Sequence, residues 1–292
     1  MRLEMIDPPL RLRLMTRGDL PFADSVRFLA GWNQTPADWE RFLATEPDGC
    51  FLAEWNGAPA GTATTTFYGP DLAWIGMVLV HPDYRRHGIG RALLETCVEH
   101  LRARGARCLK LDATPVGRKV YEQLGFKQEW TLTRWVCRIA PAQTTAQEHG
   151  LRTWRATDAD RVEPLDVSAF GASRKRLLLS LAQQSRYALV LDSSAERIAG
   201  YGLLRSGSQA LHLGPVVARS ADAGLRIVEA LLDRSAGQML FLDIPDANAA
   251  AVAWVTERGC TQQRPLTRMF LGENLRPGDP HRQFALAGPE VG

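Results

Sequence analysis

The chain has 292 residues, of which 45% are apolar and 23% charged, with a formal net charge of +3. That length exceeds one ordinary domain, and the composition is that of a globular protein, which excludes disorder, a collagen-like repeat and a coiled coil. Arginines spread without interleaved aromatics and the lack of any run of about eighteen apolar residues argue against nucleic acid and membrane as partners.

In chain order, "RLRLMT" reads as a strand, "RGDLPFADSVRFLAGW" and "PADWERFLATE" as helices, and "CFLAEW" with "AGTATTTFY" as a hairpin turning at Asn56-Gly57. "AWIGMVLV" is a continuous apolar run, as expected of a strand covered on both faces. After "HPDYRRHGIG" a helix carries Leu93, Leu94, Cys97, Val98 and Leu101 on one stripe, and "ARCLKLDA" returns as a strand. The three form a βαβ unit whose first turn is rich in glycine and arginine.

The sequence then repeats itself. "LRLMTRGD" at 12–19 is matched by "LRTWRATD" at 151–158, and "APAGTATTTF" at 58–67 by "RIAGYGLLRS" at 197–206. The offset is 139 residues from Gly61 to Gly200, 138 from Gly76 to Gly214 and 131 from Asp112 to Asp243. The second copy thus lacks seven residues in the interval that holds "HPDYRRHGIG" in the first, and there reads "ARSADAGLRIVEALL". We place a first domain at 1–140, a small polar linker at 141–149 and a second domain at 150–292.

A glycine-rich turn from strand into helix exposes backbone N–H groups with no intrahelical acceptor, at the positive end of the helix dipole. Gly88 and Gly90 permit positive φ and close approach, and Arg85, Arg86 and Arg91 add charge for phosphate. The alternative is a solvated loop, since Arg-x-x-Gly-x-Gly alone is a weak signal.

The strand ending "VLVHP", the loop from Arg85 to Arg91, the helix after Gly90 and "YEQLGF" at 121–126 together resemble the GCN5-related N-acetyltransferase family. The resemblance covers residues 10–138 well and 150–272 weakly. It implies an α/β fold (α+β, mixed sheet) of two tandem domains, each a central mixed sheet flanked by helices, the second degenerate. It also implies an acetyltransferase that moves acetyl from acetyl-CoA to an amine by direct transfer in a ternary complex. Arg85, Arg86, His87, Gly88, Ile89, Gly90 and Arg91 would hold the pyrophosphate. Met77, Val78, Leu79 and Val80 would pair with the pantetheine arm and polarise the thioester carbonyl, and Tyr121 would touch the coenzyme and protonate the leaving thiolate.

"LAWIGMVLV" carries no carboxylate, unlike the family members that place a glutamate there as base. Asp112 and His81 are candidates, but a residue shared by both copies, as Asp112 is with Asp243, reads rather as a cap or turn former, and His81 as a residue that shapes the turn. A water relay is equally open. Trp32, Trp39, Trp55, Trp74, Phe67 and Tyr68 are core or the wall of an acceptor pocket, and the tail "HRQFALAGPEVG" brings Glu290, with a place in the first domain's cleft as one hypothesis.

Five scattered cysteines without Cys-x-x-Cys suggest buried thiols and no disulfide framework, and the histidines show no ligand spacing, so no metal is expected. "MRLEMIDPPLRLRL" lacks the apolar core of a signal peptide, which points to a cytoplasmic protein. The expected acceptor is a small-molecule or protein amine, and the expected assembly a monomer or homodimer. A longer acyl-CoA, or a noncatalytic coenzyme A sensor, are the rival readings.

Overall fold

The computed structural model describes residues 9–138, 150–193, 197–235 and 237–292. The linker expected at 141–149 lies outside the described residues. The first half runs β1 (Leu10–Leu14), α1 (Leu20–Leu29), α2 (Pro36–Thr45), β2 (Cys50–Trp55), β3 (Ala58–Phe67), β4 (Ala73–Val80), α3 (Ile89–Ala103), β5 (Cys108–Ala113), α4 (Pro115–Gln123) and β6 (Lys127–Cys137). The second repeats that order: β7 (Leu151–Thr153), α5 (Ala159–Phe170), α6 (Lys175–Gln184), β8 (Tyr187–Asp192), β9 (Ile198–Arg205), β10 (Leu211–Ala218), α7 (Ala221–Asp233), β11 (Leu240–Pro245), α8 (Ala249–Glu257) and β12 (Thr261–Gly272). A last short strand, β13 (Gln283–Ala285), follows.

Local chemistry sets these boundaries. Asn56 and Gly57 both have positive φ, 49° and 79°, as a two-residue hairpin turn needs between β2 and β3. Pro36 stands at the start of α2, and Thr35 and Asp38 close a reciprocal cap around its first turn. The repeated "LRLMTRGD" has a structural counterpart. Arg13 bonds both oxygens of Asp19 at 2.8 and 2.7 Å, and Arg152 bonds both oxygens of Asp158 at 2.7 Å. Each of these arginines also reaches a strand acid through Nε, Glu54 at 2.7 Å and Asp192 at 2.6 Å.

The two expected sheets are continuous as one sheet of thirteen strands, in the order β1-β2-β3-β4-β5-β12-β6-β11-β10-β9-β8-β7, with β13 beside β10. Each half donates to the other the strand that follows its last α-helix. β12 pairs with β5 of the first half, β6 with β11 of the second, and β6 and β12 pair with one another in the middle. Two buried ion pairs span this seam in matching places. Arg268 of β12 donates from Nε and Nη2 to Asp112 of β5, both at 2.9 Å, and Arg134 of β6 donates to Asp243 of β11 at 2.7 and 2.6 Å.

The exchange also corrects the reading of the cysteines. Cys137 and Cys260, 123 residues apart, form a disulfide with a Cα–Cα distance of 4.6 Å, because the crossed strands set the end of β6 beside the start of β12. Cys50, Cys97 and Cys108 are buried thiols, and burial pushes Cys50 up to about 12 and Cys108 to about 11.

Helices cover both faces of the first half of the sheet. α3 packs with Ala73, Ile75, Leu109 and Leu111 on one face; α1 and α2 pack with Leu52, Met77 and Leu79 on the other. No helix of the described residues is long and apolar enough to cross a membrane.

Candidate active site

Two glycines decide where the end of the chain runs. A Cβ on Gly214 of β10 would lie 2.0 Å from Leu286 O, and a Cβ on Gly76 of β4 would lie 2.4 Å from Glu290 O. Only a residue without a side chain lets another backbone come that close. The final residues therefore cross both of these matching strands, one after the other.

In the second half the tail fills a cleft. β10 and β11 share only the pairs Leu211–Leu240 and His212–Phe241 before they splay. β13 lies in that opening, paired with Val216 and Val217 of β10, and Leu286 N donates to Asp243 O of β11 at 2.8 Å. α7, which begins there, is closed by its own Ser220, whose side chain accepts from Ala223 N, and carries Asp222 in its first turn. An anion has no place at such an end.

The corresponding cleft of the first half has another character. β4 and β5 share only Ala73–Leu109 and Trp74–Lys110, and beyond these the strands share no ladder pair. β4 is bulged here: the register with β3 jumps between Thr62–Leu79 and Thr64–Gly76, and Met77 has φ 51°. Met77 and Leu79 are buried on the α1–α2 face, while Val78 and Val80 are half-buried and pack with the α3 face.

The loop after β4 leads into α3, whose N-cap Gly88 has φ 79° and offers no side-chain cap. The first bond back to the cap is Ala92 N to Gly88 O, so the N–H groups of Ile89, Gly90 and Arg91 have no helical acceptor. A Cβ on Gly88 would meet nothing within 4 Å, so the space before these groups is open. Of the two glycines that permit positive φ, Gly88 adopts it, while Gly90 stands inside the first helical turn without it; a Cβ there would touch Val80 at 3.5 Å. The left-handed residue beside Gly88 is Arg86, φ 68°, which the spacing alone did not reveal.

The charged residues of the loop point several ways. Arg85 and Arg86 are exposed, with Arg85 Nε 3.4 Å from Val80 O, and Arg91 is drawn to Glu95 at 2.8 Å. His87 stacks on Trp55, ring centroids 4.7 Å apart. His81 accepts a bond from Asp83 N and so shapes the turn. Tyr121 of α4 is half-buried in the same apolar cluster as Val78, Val80 and Tyr84, and burial raises its phenol to about 12, so it keeps its proton at neutral pH. The loop with its open N–H groups thus continues directly from the splayed strand, and Tyr121 packs beside that strand.

Asp112 is neither cap nor turn former: its side chain is fully buried and committed to Arg268, which lies 4.5 Å from the Trp74 ring and 4.1 Å from that of Trp130. Trp39 and Trp74 are core. Phe67 and Tyr68 do line a cavity, of about 450 Å³, bordered also by Phe42 of α2, Leu177 of α6 and Val291 of the tail. The tail is fastened there by Trp74 Nε1 to Pro289 O at 3.0 Å, Tyr68 OH to Val291 O at 2.8 Å, and Arg174 to Gly292 O. Among the described residues no group of three or more His, Cys, Asp or Glu could hold a metal.

Comparison with known proteins places this geometry. The Acetyltransferase (GNAT) family matches residues 20–126, and the Acetyltransferase (GNAT) domain matches residues 162–285. The uncharacterized N-acetyltransferase YitH of Bacillus subtilis is 28% identical over 188 residues, 64% of this chain and 66% of that protein. The holothin acyltransferase of a Pseudoalteromonas species is 26% identical over 263 residues, 89% of this chain and 87% of its own. The crystal structure of a candidate acetyltransferase from Pyrococcus horikoshii superposes with a TM-score of 0.85 at 23% identity, over 100% of this chain and 99% of that one. A tandem GNAT protein from the clavulanic acid biosynthesis pathway gives 0.65 at 17%, over 90% and 98%. With two successive matches of the same kind covering both halves, the chain belongs to the GCN5-related N-acetyltransferase family and is an acyltransferase whose fold implies an acyl-CoA cosubstrate.

Proposed function

We propose that the protein transfers acetyl from acetyl-CoA to an amine, directly and in a ternary complex, with the chemistry confined to the first half. The observation that carries this reading is the contrast between two matching clefts. One is open, with three free helix N–H groups and a bulged strand; the other is filled by β13.

Bound acetyl-CoA would supply an activated acyl group. Arg85, Arg86 and the N–H groups from Ile89 to Arg91 hold its phosphates, and Met77 to Val80 pair with its amides as an added strand would. A backbone N–H along that strand polarises the acyl carbonyl, which aims the carbon at the amine. Tyr121 gives its proton to the departing sulfur, help worth about 10²- to 10⁴-fold in rate. The acceptor is an unassigned amine, small or protein-borne, and its body enters from the α1–α2 face. The 450 Å³ cavity on that face also favours a second reading, a longer acyl chain, which a comparison of acetyl-CoA with octanoyl-CoA distinguishes.

Calorimetric titration of acetyl-CoA tests the assignment. The wild type should show one site. Gly90→Trp, at a position of ordinary helical φ, should abolish binding while leaving the circular dichroism unchanged. Equal binding in both, or none in the wild type, would remove the reading.

A further inference from the structure

The strand that binds the acyl group carries no carboxylate, so the proton released by the amine needs another acceptor. The tail brings a carboxylate residue against this strand. Glu290 packs its backbone on Gly76, next to the bulge at Met77, on the α1–α2 face. Its carboxylate accepts from Gln34 Nε2 in the α1–α2 connection at 2.7 Å. Beside it lies a polar void of about 10 Å³, bordered by Gln34, Asp38, Arg134, Arg205 and His212. That is room for one water. Gln34 Oε1 and Arg134 Nη1 are buried there without a partner, in residues that are 7% and 1% exposed. Buried polar atoms in this state normally meet an ordered water or a ligand.

We infer that Glu290, delivered by the second half's tail to the first half's acyl site, is the general base of the transfer and acts through a water in this void. The inference rests on the proposed function. As the C–N bond forms and the C–S bond breaks, nitrogen loses one proton through the water to Glu290, and sulfur takes one from Tyr121. Release of product returns the proton from Glu290 and restores that of Tyr121 through solvent.

The surroundings suit a base. Burial raises the Glu290 carboxyl above the usual range, while Arg205 of β9 opposes the rise and Asp38 of α2 adds to it. Tyr68, Arg134 of β6, His212 of β10 and Arg264 of β12 complete the charged or titratable groups facing it. His212 is pushed down to about 3 by burial and the neighbouring Arg205, so it stays neutral and does not compete. A carboxylate of raised basicity takes a proton more readily than an ordinary one. The reaction should therefore rise with pH through the Glu290 pKa, giving an acidic limb.

Thiol release from acetyl-CoA, with a panel of primary amines and with water alone as acceptors, tests this in the wild type, E290Q and E290D. E290Q should lose about 100-fold or more in turnover and its acidic limb, with acetyl-CoA affinity and melting temperature unchanged, and E290D should recover part of the rate. Unchanged turnover and pH profile in E290Q would overturn the inference and leave the cofactor assignment standing. Failure of the wild type to bind acetyl-CoA would overturn both. Should no acceptor support turnover, infrared difference spectroscopy decides. A carboxylate band that shifts when coenzyme A binds and is missing in E290Q supports the role, and a band indifferent to coenzyme A refutes it.

Discussion

Cutting one partner from the buried Arg268–Asp112 pair separates a structural from a catalytic reading of Asp112. The pair is bidentate at 2.9 Å, with side chains 3% and 0% exposed. Asp112→Asn leaves the guanidinium in a dry site without its counter-charge, a loss of about 3–5 kcal/mol. Arg268→Met strands the carboxylate instead and also forfeits the stacking on Trp74 and Trp130, a further 1–2 kcal/mol or so. Replacing both together, Asp112→Leu with Arg268→Met, should return to within about 2 kcal/mol of the wild type, because no uncompensated charge remains. Urea unfolding followed by tryptophan fluorescence reads these values, and each single variant should melt roughly 10 °C lower. Single costs that simply add in the double variant would refute the argument. So would a double variant of wild-type stability that binds acetyl-CoA but cannot turn over, since Asp112 would then have acted on the substrate.

Tyr121→Phe should leave acetyl-CoA affinity within a factor of two or so and lower kcat by about 10²-fold, because only the proton to sulfur is lost; equal loss of affinity in calorimetry would make the residue a packing element of the cleft. Acid unfolding reports on the repeated arginine clasp. The Asp19 carboxyl is held down at about 2, first by the hydrogen bonds of Arg13, with burial acting the other way and Thr16 helping. Since the folded pKa is depressed, the stability from this clasp is full above about pH 4 and disappears as pH falls toward 2. Asp19→Asn should therefore be less stable than the wild type by about 1 kcal/mol at pH 6, after allowing for solvent screening, and equal to it near pH 2. A difference that does not change with pH would assign the effect to the turn alone.

How much of this was legible beforehand follows from the range of each interaction. The hairpin at Asn56-Gly57, the apolar stripe of α3 and the glycine-marked turn before it are written in neighbouring residues, and the strands and helices follow the expected order. The missing seven residues of the second copy signalled a difference between the clefts without saying what fills the second one. Glu290 was visible as a carboxylate on a short tail, but its destination was not. The one available hint was the paired glycines, Gly76 and Gly214, whose shared lack of a side chain marks where the tail crosses. Asp112 looked like a local turn former because its partner, Arg268, stands 156 residues away on a strand given by the other half.

The sequence by itself determined the repeated βα units, the glycine- and arginine-rich turn at residues 85–91 and the loss of that loop in the second copy, because these depend on backbone conformation and periodicity over a few residues. Only the tertiary structure decided that β6 and β12 change places, that Cys137 meets Cys260, that β13 closes the second cleft and that Glu290 packs on Gly76 of the first half. Strand exchange and non-exchange satisfy the same hydrogen-bonding edges and the same alternation of apolar residues. What distinguishes them is which side chains then face each other across the seam, and that is a property of the assembled sheet.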